Sequence, residues 1–370
     1  MIPLVDLKRQ YKTIQKDVRK AIQNVLNRTD FILGEDVYEF EKEFARYCGV
    51  NHGVGVDSGT SALELAFRAL NIGSGDEVIV PAFTFYASAS TIATGGARPV
   101  FAEVEDETAN IDPEKIEPLI TKKTRAILPV HLFGQPADMR KITQIARKHQ
   151  VHLIEDAAQA HGAQIKMKDG KWKKVGSFGE MACFSFYPGK NLGAYGDGGM
   201  IVTNSQEHNA QIRLLRDCGR TEKYKHDILA YNCRLDTVQA AILRVKLKKL
   251  ESWNKLRRKN SDLYDKLFGE IGIRTIQVQD FVLPVRHVYA IRVEKRDELV
   301  QFLKEKGVAT GVHYPIPLHL QKTFSYLGYK KGDFPVAEKI SQEILSLPIF
   351  PELLPSEIER IVSLVKKFYD

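Results

Sequence analysis

Cysteine is scarce in this 370-residue chain: Cys48, Cys183, Cys218 and Cys233 stand far apart and form no C-x-x-C pair. That spacing argues against a disulfide framework and against a cysteine zinc site, and leaves four reduced, structural thiols. No apolar run approaches the roughly 18 residues that a membrane-spanning helix requires. The opening stretch MIPLVDLKRQYK has neither an apolar signal core nor a small-residue cleavage site, so residence in the cytoplasm is expected. Internal repeats and low-complexity tracts are missing as well. Lys and Arg outnumber Asp and Glu by 54 to 46, for a net charge of +8. The basic residues gather on helical faces such as 244–259 and do not interleave with aromatics, which disfavours a nucleic-acid surface and suits an anionic small substrate such as a diphosphate.

What is present is enough chain for one large domain and a smaller partner, expected at 1–250 and 251–370. Residues 7–26 place Ile14, Val18, Ile22 and Val25 at helical spacing, and a second helix follows, closed by Gly49. From HGVGV onward strands and helices alternate: ALELAFRAL, DEVIVP, a helix from Ala87 to Thr94, RPVFAEV, TRAILPVHLFG, a helix from Met139 to His149, and VHLIEDAAQ. Near-continuous apolar strands in such an alternation predict an α/β fold with a mostly parallel sheet covered by helices on both faces. Ligands of these sheets lie at the carboxyl ends of the strands, a rim that would carry the Gly59 turn, Phe83 to Tyr86, His131, and Asp156 to Gln159. A long helix from Asp236 reads as a spine between the domains. The remainder reads as a small C-terminal α+β domain: HVYAIRV, DELVQFLKEKG and VATGVHY as a β-α-β unit, then a proline-rich loop and helices at Val336 to Leu345 and Ser356 to Phe368.

Three features carry chemistry. In CFSFYPGKNLGAYGDGGM, Lys190 stands in a turn forced by Pro188 and Gly189 and flanked by Phe184, Phe186 and Leu192. Desolvation there would lower the pKa of the amine and let it condense with a carbonyl, although a surface lysine in a glycine-rich hairpin would look the same. The stretch Asp57 to Ser61, between a strand and a helix, is a candidate anion cradle, and its hydroxyls would equally serve as N-caps. Asp156 puts a carboxylate at a strand end, where it needs a positive partner or a capping role. Cradle, acid and turn lysine together are the three handles that pyridoxal phosphate requires, and Phe85 is available to cover its ring. His313 and His319 have no carboxylate or cysteine to complete a metal set, so no metal is expected.

The motifs VGVDSGTSAL, VPAFTFYASA, VHLFGQPADM, LIEDAAQAHGA, FSFYPGKNLGAYGDGG, YNCRLDTVQAAIL and GVHYPIPLHLQ, in this order, resemble the DegT/DnrJ/StrS sugar aminotransferases across nearly the whole chain. The resemblance implies the fold-type I aminotransferase architecture, pyridoxal phosphate as cofactor, and a homodimer with shared active sites. It implies that Lys190 carries the cofactor and shuttles the proton, that Asp156 pairs with the pyridine nitrogen, that Gln159 meets the ring hydroxyl and that Phe85 stacks on the ring. Gly59, Thr60 and Ser185 would bind the phosphate, with Asn232 reaching it from the other subunit. Tyr187, Tyr224, His226, Arg234, His313, Tyr314 and His319 would line the sugar-nucleotide channel. Members that dehydrate carry histidine at the lysine position, so Lys190 favours amino transfer from L-glutamate. The loop wording is most similar to members that aminate C3 of a dTDP-linked 3-keto-6-deoxyhexose. UDP- or GDP-linked sugars and C4 remain alternatives, and a DNA-binding regulator is a reading from another class, without a helix-turn-helix segment to support it.

Overall fold

A computed structural model describes residues 1–370. Seven strands form the central sheet in the spatial order His52–Val56, Gly199–Thr203, Met181–Ser185, His152–Asp156, Thr124–Ile127, Glu77–Pro81 and Arg98–Ala102. Gly199–Thr203 is antiparallel to both of its neighbours, and every other pairing is parallel. The reversal follows from the lysine turn. The chain leaves Ser185, rounds the turn over the rim of the sheet, and comes straight back beside the strand it left.

Side-chain alternation divides the strands between two faces. Val54, Val78, Val80, Ile154 and Cys183 pack with Leu63 and Phe67 of the helix Gly59–Ala69. On the opposite face Ile79, Ile127 and Leu153 meet Ile142 and Ala146 of the helix Met139–His149, and Phe184, Met200 and Val202 meet Phe40 and Phe44 of Glu35–Cys48. With both faces covered, strands rich in Val, Ile and Ala are the ones that fit.

The same alternation separates Glu155 from Asp156. Glu155 is fully buried and accepts hydrogen bonds from the backbone N–H groups of Gly176, Phe178 and Gly179. His131 Nδ1 accepts from the Ala137 N–H, so its Nε2 carries the proton and donates to Glu155 at 3.1 Å. Burial pushes the Glu155 carboxyl up, and these donors more than offset it, leaving it below its usual range. His131 is therefore a buried structural residue and does not lie on the ligand rim where the sequence put it.

The helix Thr237–Glu270 runs from the sheet into the C-terminal core, where Tyr264 and Phe268 pack with Tyr289, Ile291, Leu345 and Leu347. Here two expectations change. Val336 to Leu345 is a helix only at Pro335–Glu343, after which Ile344–Leu347 forms a strand. That strand pairs antiparallel with Tyr289–Arg292, while VATGVHY makes only isolated bridges, Ile2 to Val308 and Gly311 to Ser346. A four-residue apolar run that directly follows a helix has no periodicity of its own, so only pairing identifies it. The N-terminus joins this C-terminal core: Ile2 donates to Gly307 O and accepts from the Ala309 N–H.

Candidate active site

At the carboxyl ends of the parallel strands lies a cavity of about 610 Å³, closed on its far side by the C-terminal segment and by Leu4 and Val5. The helix Gly59–Ala69 starts on this rim, so its first N–H groups have no intrahelical acceptor. Ser58 caps it, accepting from the Ser61 N–H at 3.1 Å, while Gly59 and Thr60 face the cavity with their N–H groups free of backbone acceptors. The capping and anion-cradle readings of this turn are thus compatible. A Cβ at Gly59 would stand 2.6 Å from Ser185 Cβ, so only glycine lets the helix start approach the strand end that leads to the lysine turn.

Lys190 reaches the same cavity from the turn after Met181–Ser185. Its backbone N–H donates to Tyr187 O at 2.8 Å, whereas its Nζ has no hydrogen-bond partner in the protein. Burial lowers its pKa to about 8, and the Asp156 carboxylate resists that shift. Asp156, 4% exposed, accepts from Ser88 Oγ at 2.7 Å and from the Ala158 N–H at 3.2 Å. Its burial nevertheless raises the carboxyl above its usual range. An amine that desolvation brings toward neutrality and a single buried carboxylate therefore share one chamber.

Gln159 is positioned by two bonds: its Oε1 accepts from the Phe133 N–H at 2.7 Å and its Nε2 donates to the Tyr314 hydroxyl at 3.1 Å. One amide hydrogen stays available to the cavity. Phe85, 51% exposed, ends the strand-to-helix connection with its ring 5.9 Å from that of Tyr314. His313 bonds Ser346 Oγ through Nδ1 at 2.8 Å, and Tyr187 is exposed at the mouth.

Gly59, Thr60, Phe85, Asp156, Gln159, Ser185, Tyr187, Lys190, His313 and Tyr314 all border the cavity. His319 does not. It is buried, bonded through Nε2 to Glu338 Oε1 at 3.0 Å and packed on Phe334, because the loop turns it into the protein. Tyr224, His226, Arg234 and Asn232 lie outside the cavity of this chain: His226 bonds Cys218 O, Arg234 pairs with Asp217 at 2.8 Å, and Tyr224 and Asn232 are exposed. The sequence reading missed Ser88, Asp197, His287 and Ser346. His287 sits in what read only as a strand, Ser346 just past the end of an expected helix, and Ser88 gave no signal beyond its place in the first turn of a helix on the rim.

The residues present suit pyridoxal phosphate: free N–H groups at a helix start for its phosphate, a buried carboxylate for its ring nitrogen, and an unpartnered amine for its aldehyde. No group of three or more His, Cys, Asp or Glu is arranged to hold a metal ion, and no helix is long and apolar enough to cross a membrane.

The DegT/DnrJ/EryC1/StrS aminotransferase family matches residues 12–366. The chain is 47% identical to the "Pleiotropic regulatory protein" of Geobacillus stearothermophilus, over 100% of this chain and 98% of that one. It is 42% identical to the "dTDP-3-amino-3,4,6-trideoxy-alpha-D-glucose transaminase" of Streptomyces venezuelae, over 99% of this chain and 96% of that one. The crystal structure of S. venezuelae DesV in complex with a ketimine intermediate matches with a TM-score of 0.96 at 42% identity, covering 100% of this chain and 98% of that one.

Proposed function

Because the chain belongs to the DegT/DnrJ/EryC1/StrS aminotransferase family, we propose that it moves the amino group of L-glutamate to C3 of a dTDP-linked 3-keto-6-deoxyhexose, yielding a dTDP-amino sugar. The architecture is that of the pyridoxal phosphate aminotransferases, and pyridoxal phosphate is the cofactor. The observation that carries the reading is Lys190, the one lysine or arginine on the cavity wall, sharing that chamber with the buried Asp156. The name of the Streptomyces venezuelae relative supports the dTDP nucleotide and the 3-position.

Gly59, Thr60 and Ser185 would hold the phosphate, Asp156 the ring nitrogen, Gln159 the ring hydroxyl, and Phe85 one ring face. When bound, the cofactor supplies an electron sink for the carbanion formed at the substrate carbon. Ser88 and the Ala158 N–H favour the ionised form of Asp156 against its burial, and that carboxylate would hold the proton on the ring nitrogen. Lys190 Nζ, which has no hydrogen-bond partner in the protein and whose pKa burial brings to about 8, would move the proton between the amine-bearing substrate carbon and the C4′ carbon of the cofactor. Tyr187, His313 and Tyr314 would orient the sugar.

The chain acts in the cytoplasm as a homodimer, its product feeding O-antigen or S-layer glycan synthesis, with domains at 1–250 and 251–370. Two features support the dimer. Glutamate brings two carboxylates to a cavity whose only lysine or arginine is Lys190, and Tyr224 and Leu229 are 85% and 100% exposed beside Asn232, as a segment reaching a second copy would be. Arg234 and His226 would contribute from that segment.

Purified protein with pyridoxal phosphate tests this. L-Glutamate should convert the cofactor absorbance to the pyridoxamine form with release of 2-oxoglutarate, and a dTDP-linked 3-keto sugar should reverse the change. Turnover of only UDP-linked or 4-keto sugars would move the assignment to those substrates. The name of the Geobacillus relative favours a second reading, a regulator; cofactor-independent, steeply salt-dependent DNA binding would revive it.

A further inference from the structure

His287 lines the cavity but belongs to no expected substrate set, and a chain of side-chain amides leads to it from the spine helix. Asn254, fully buried on Thr237–Glu270, has its Nδ2 2.8 Å from His161 O. A backbone carbonyl only accepts, so that atom of Asn254 is the nitrogen and its Oδ1 faces the other way. Asn254 Oδ1 lies 3.0 Å from Asn191 Nδ2, which also lies 2.9 Å from Val285 O. Two acceptors thus fix Asn191, leaving its Oδ1 toward His287 Nδ1 at 3.3 Å. The carbonyls at the far end of the chain therefore dictate that Nδ1 of His287 carries the hydrogen. Arg257, 2% exposed, holds the His287 segment from behind by donating to the carbonyls of Arg286, His287 and Ile349.

We propose that His287 is a specificity-determining residue, held as the Nδ1–H tautomer by Asn191 and Asn254 so that the lone pair of Nε2 accepts a hydrogen bond from a hydroxyl of the sugar substrate. Nε2 has no partner in the protein. Burial, together with the charges of Lys190 and Arg257, holds the imidazole far below its usual pKa and so keeps it uncharged. A neutral acceptor repels carboxylates and takes an O–H donor, so this wall serves the sugar and not the amino donor. Asn191 and Asn254 are positioning residues that act through the ring. The inference rests on the aminotransfer reading for its substrate, but its tautomer stands on geometry alone.

Nitrogen NMR of the holoenzyme labelled with 15N-histidine, at neutral pH, tests the tautomer, with the His287 signals assigned by their loss in His287→Phe. A protonated Nδ1 with a bare Nε2 is the expected result, and a protonated Nε2 overturns the proposal. Asn191→Ala, which removes the acceptor facing Nδ1, should lose the tautomer preference, and if that variant fails to fold, the wild-type spectrum still decides. In stopped-flow half-reactions, His287→Phe should lose about tenfold more on the keto-sugar than on L-glutamate, as removal of one hydrogen bond predicts. His287→Gln, which keeps an acceptor, should recover part of that loss. Equal losses on both substrates overturn the hydroxyl contact. A wild type that turns over neither substrate overturns the aminotransfer reading and leaves the tautomer to the spectrum.

Discussion

Ser88 Oγ donates a hydrogen bond to Asp156 Oδ2 at 2.7 Å, joining the helix Tyr86–Thr94 to the end of the strand His152–Asp156. Burial makes the ionised Asp156 costly, and this bond is the strongest influence opposing that cost. Ser88→Ala should therefore raise the carboxyl pKa further and weaken retention of pyridoxal phosphate by about tenfold at neutral pH, in line with a hydrogen bond to a charged group. Titration of the cofactor absorbance checks it. An unchanged affinity would mean that Asp156 does not hold the ring.

Asp156→Asn should separate stability from function. The folded pKa of Asp156 lies above its unfolded value, so between the two the native state binds more protons and the cofactor-free protein loses stability as pH rises. Asparagine removes that penalty. The Tm of the cofactor-free variant should exceed that of the wild type at pH 7 by more than at pH 4, while cofactor-dependent turnover is lost.

Lys190 and Lys246 bring a stability slope of the opposite sign. Burial lowers both to about 8 from the usual 10.5. Between those values the unfolded chain binds more protons, so the stability of the cofactor-free protein should rise from pH 8 toward 10.5 and stay lower below pH 8. Lys246 is 1% exposed, its Nζ donates to Gly193 O of the lysine turn, and it lies 4.7 Å from the Tyr195 ring. Lys246→Met should reduce the slope and raise Tm at pH 7. A flat wild-type profile across this window would count against both shifts.

Lys190→Ala should leave the fold intact and reduce turnover by at least about 10²- to 10⁴-fold, the range for loss of a general acid–base group. Circular dichroism and the glutamate half-reaction check the two parts. Retained cycling would remove Lys190 from the proton path.

Glu41 anchors the strand that leads into the Gly59 turn. It is 2% exposed and accepts from Arg213 Nη2 at 2.7 Å, from Arg216, and from the Gly55 N–H at 2.9 Å. Glu41→Ala leaves the buried Arg216 guanidinium without its carboxylate and should cost about 3–5 kcal/mol in urea unfolding.

Much of the molecule was legible from local pattern. Continuous runs such as EVIVP and HLIED marked strands buried on both faces, and the order of strand, glycine turn and helix located the free N–H groups at Gly59 and Thr60. Phe184 and Phe186 beside Lys190 were compatible with a desolvated amine and with a surface hairpin alike; both rings pack in the core with Phe40 and Phe44, while Lys190 is desolvated in the cavity.

Residues whose roles depend on distant partners were not legible. Ser88 meets Asp156 across 68 positions, and His287 meets Asn191 across 96. His313 and His319 share one loop, yet one faces the cavity and the other is locked to Glu338. The sequence by itself determined the strand-helix alternation, the glycine turn at a helix start and the lysine in its turn, since period and turn chemistry are local. Only the tertiary structure decided which polar groups face the cavity, which way Gly199–Thr203 runs, and where the proton of His287 sits, because each is set by hydrogen bonds between segments that only folding brings together.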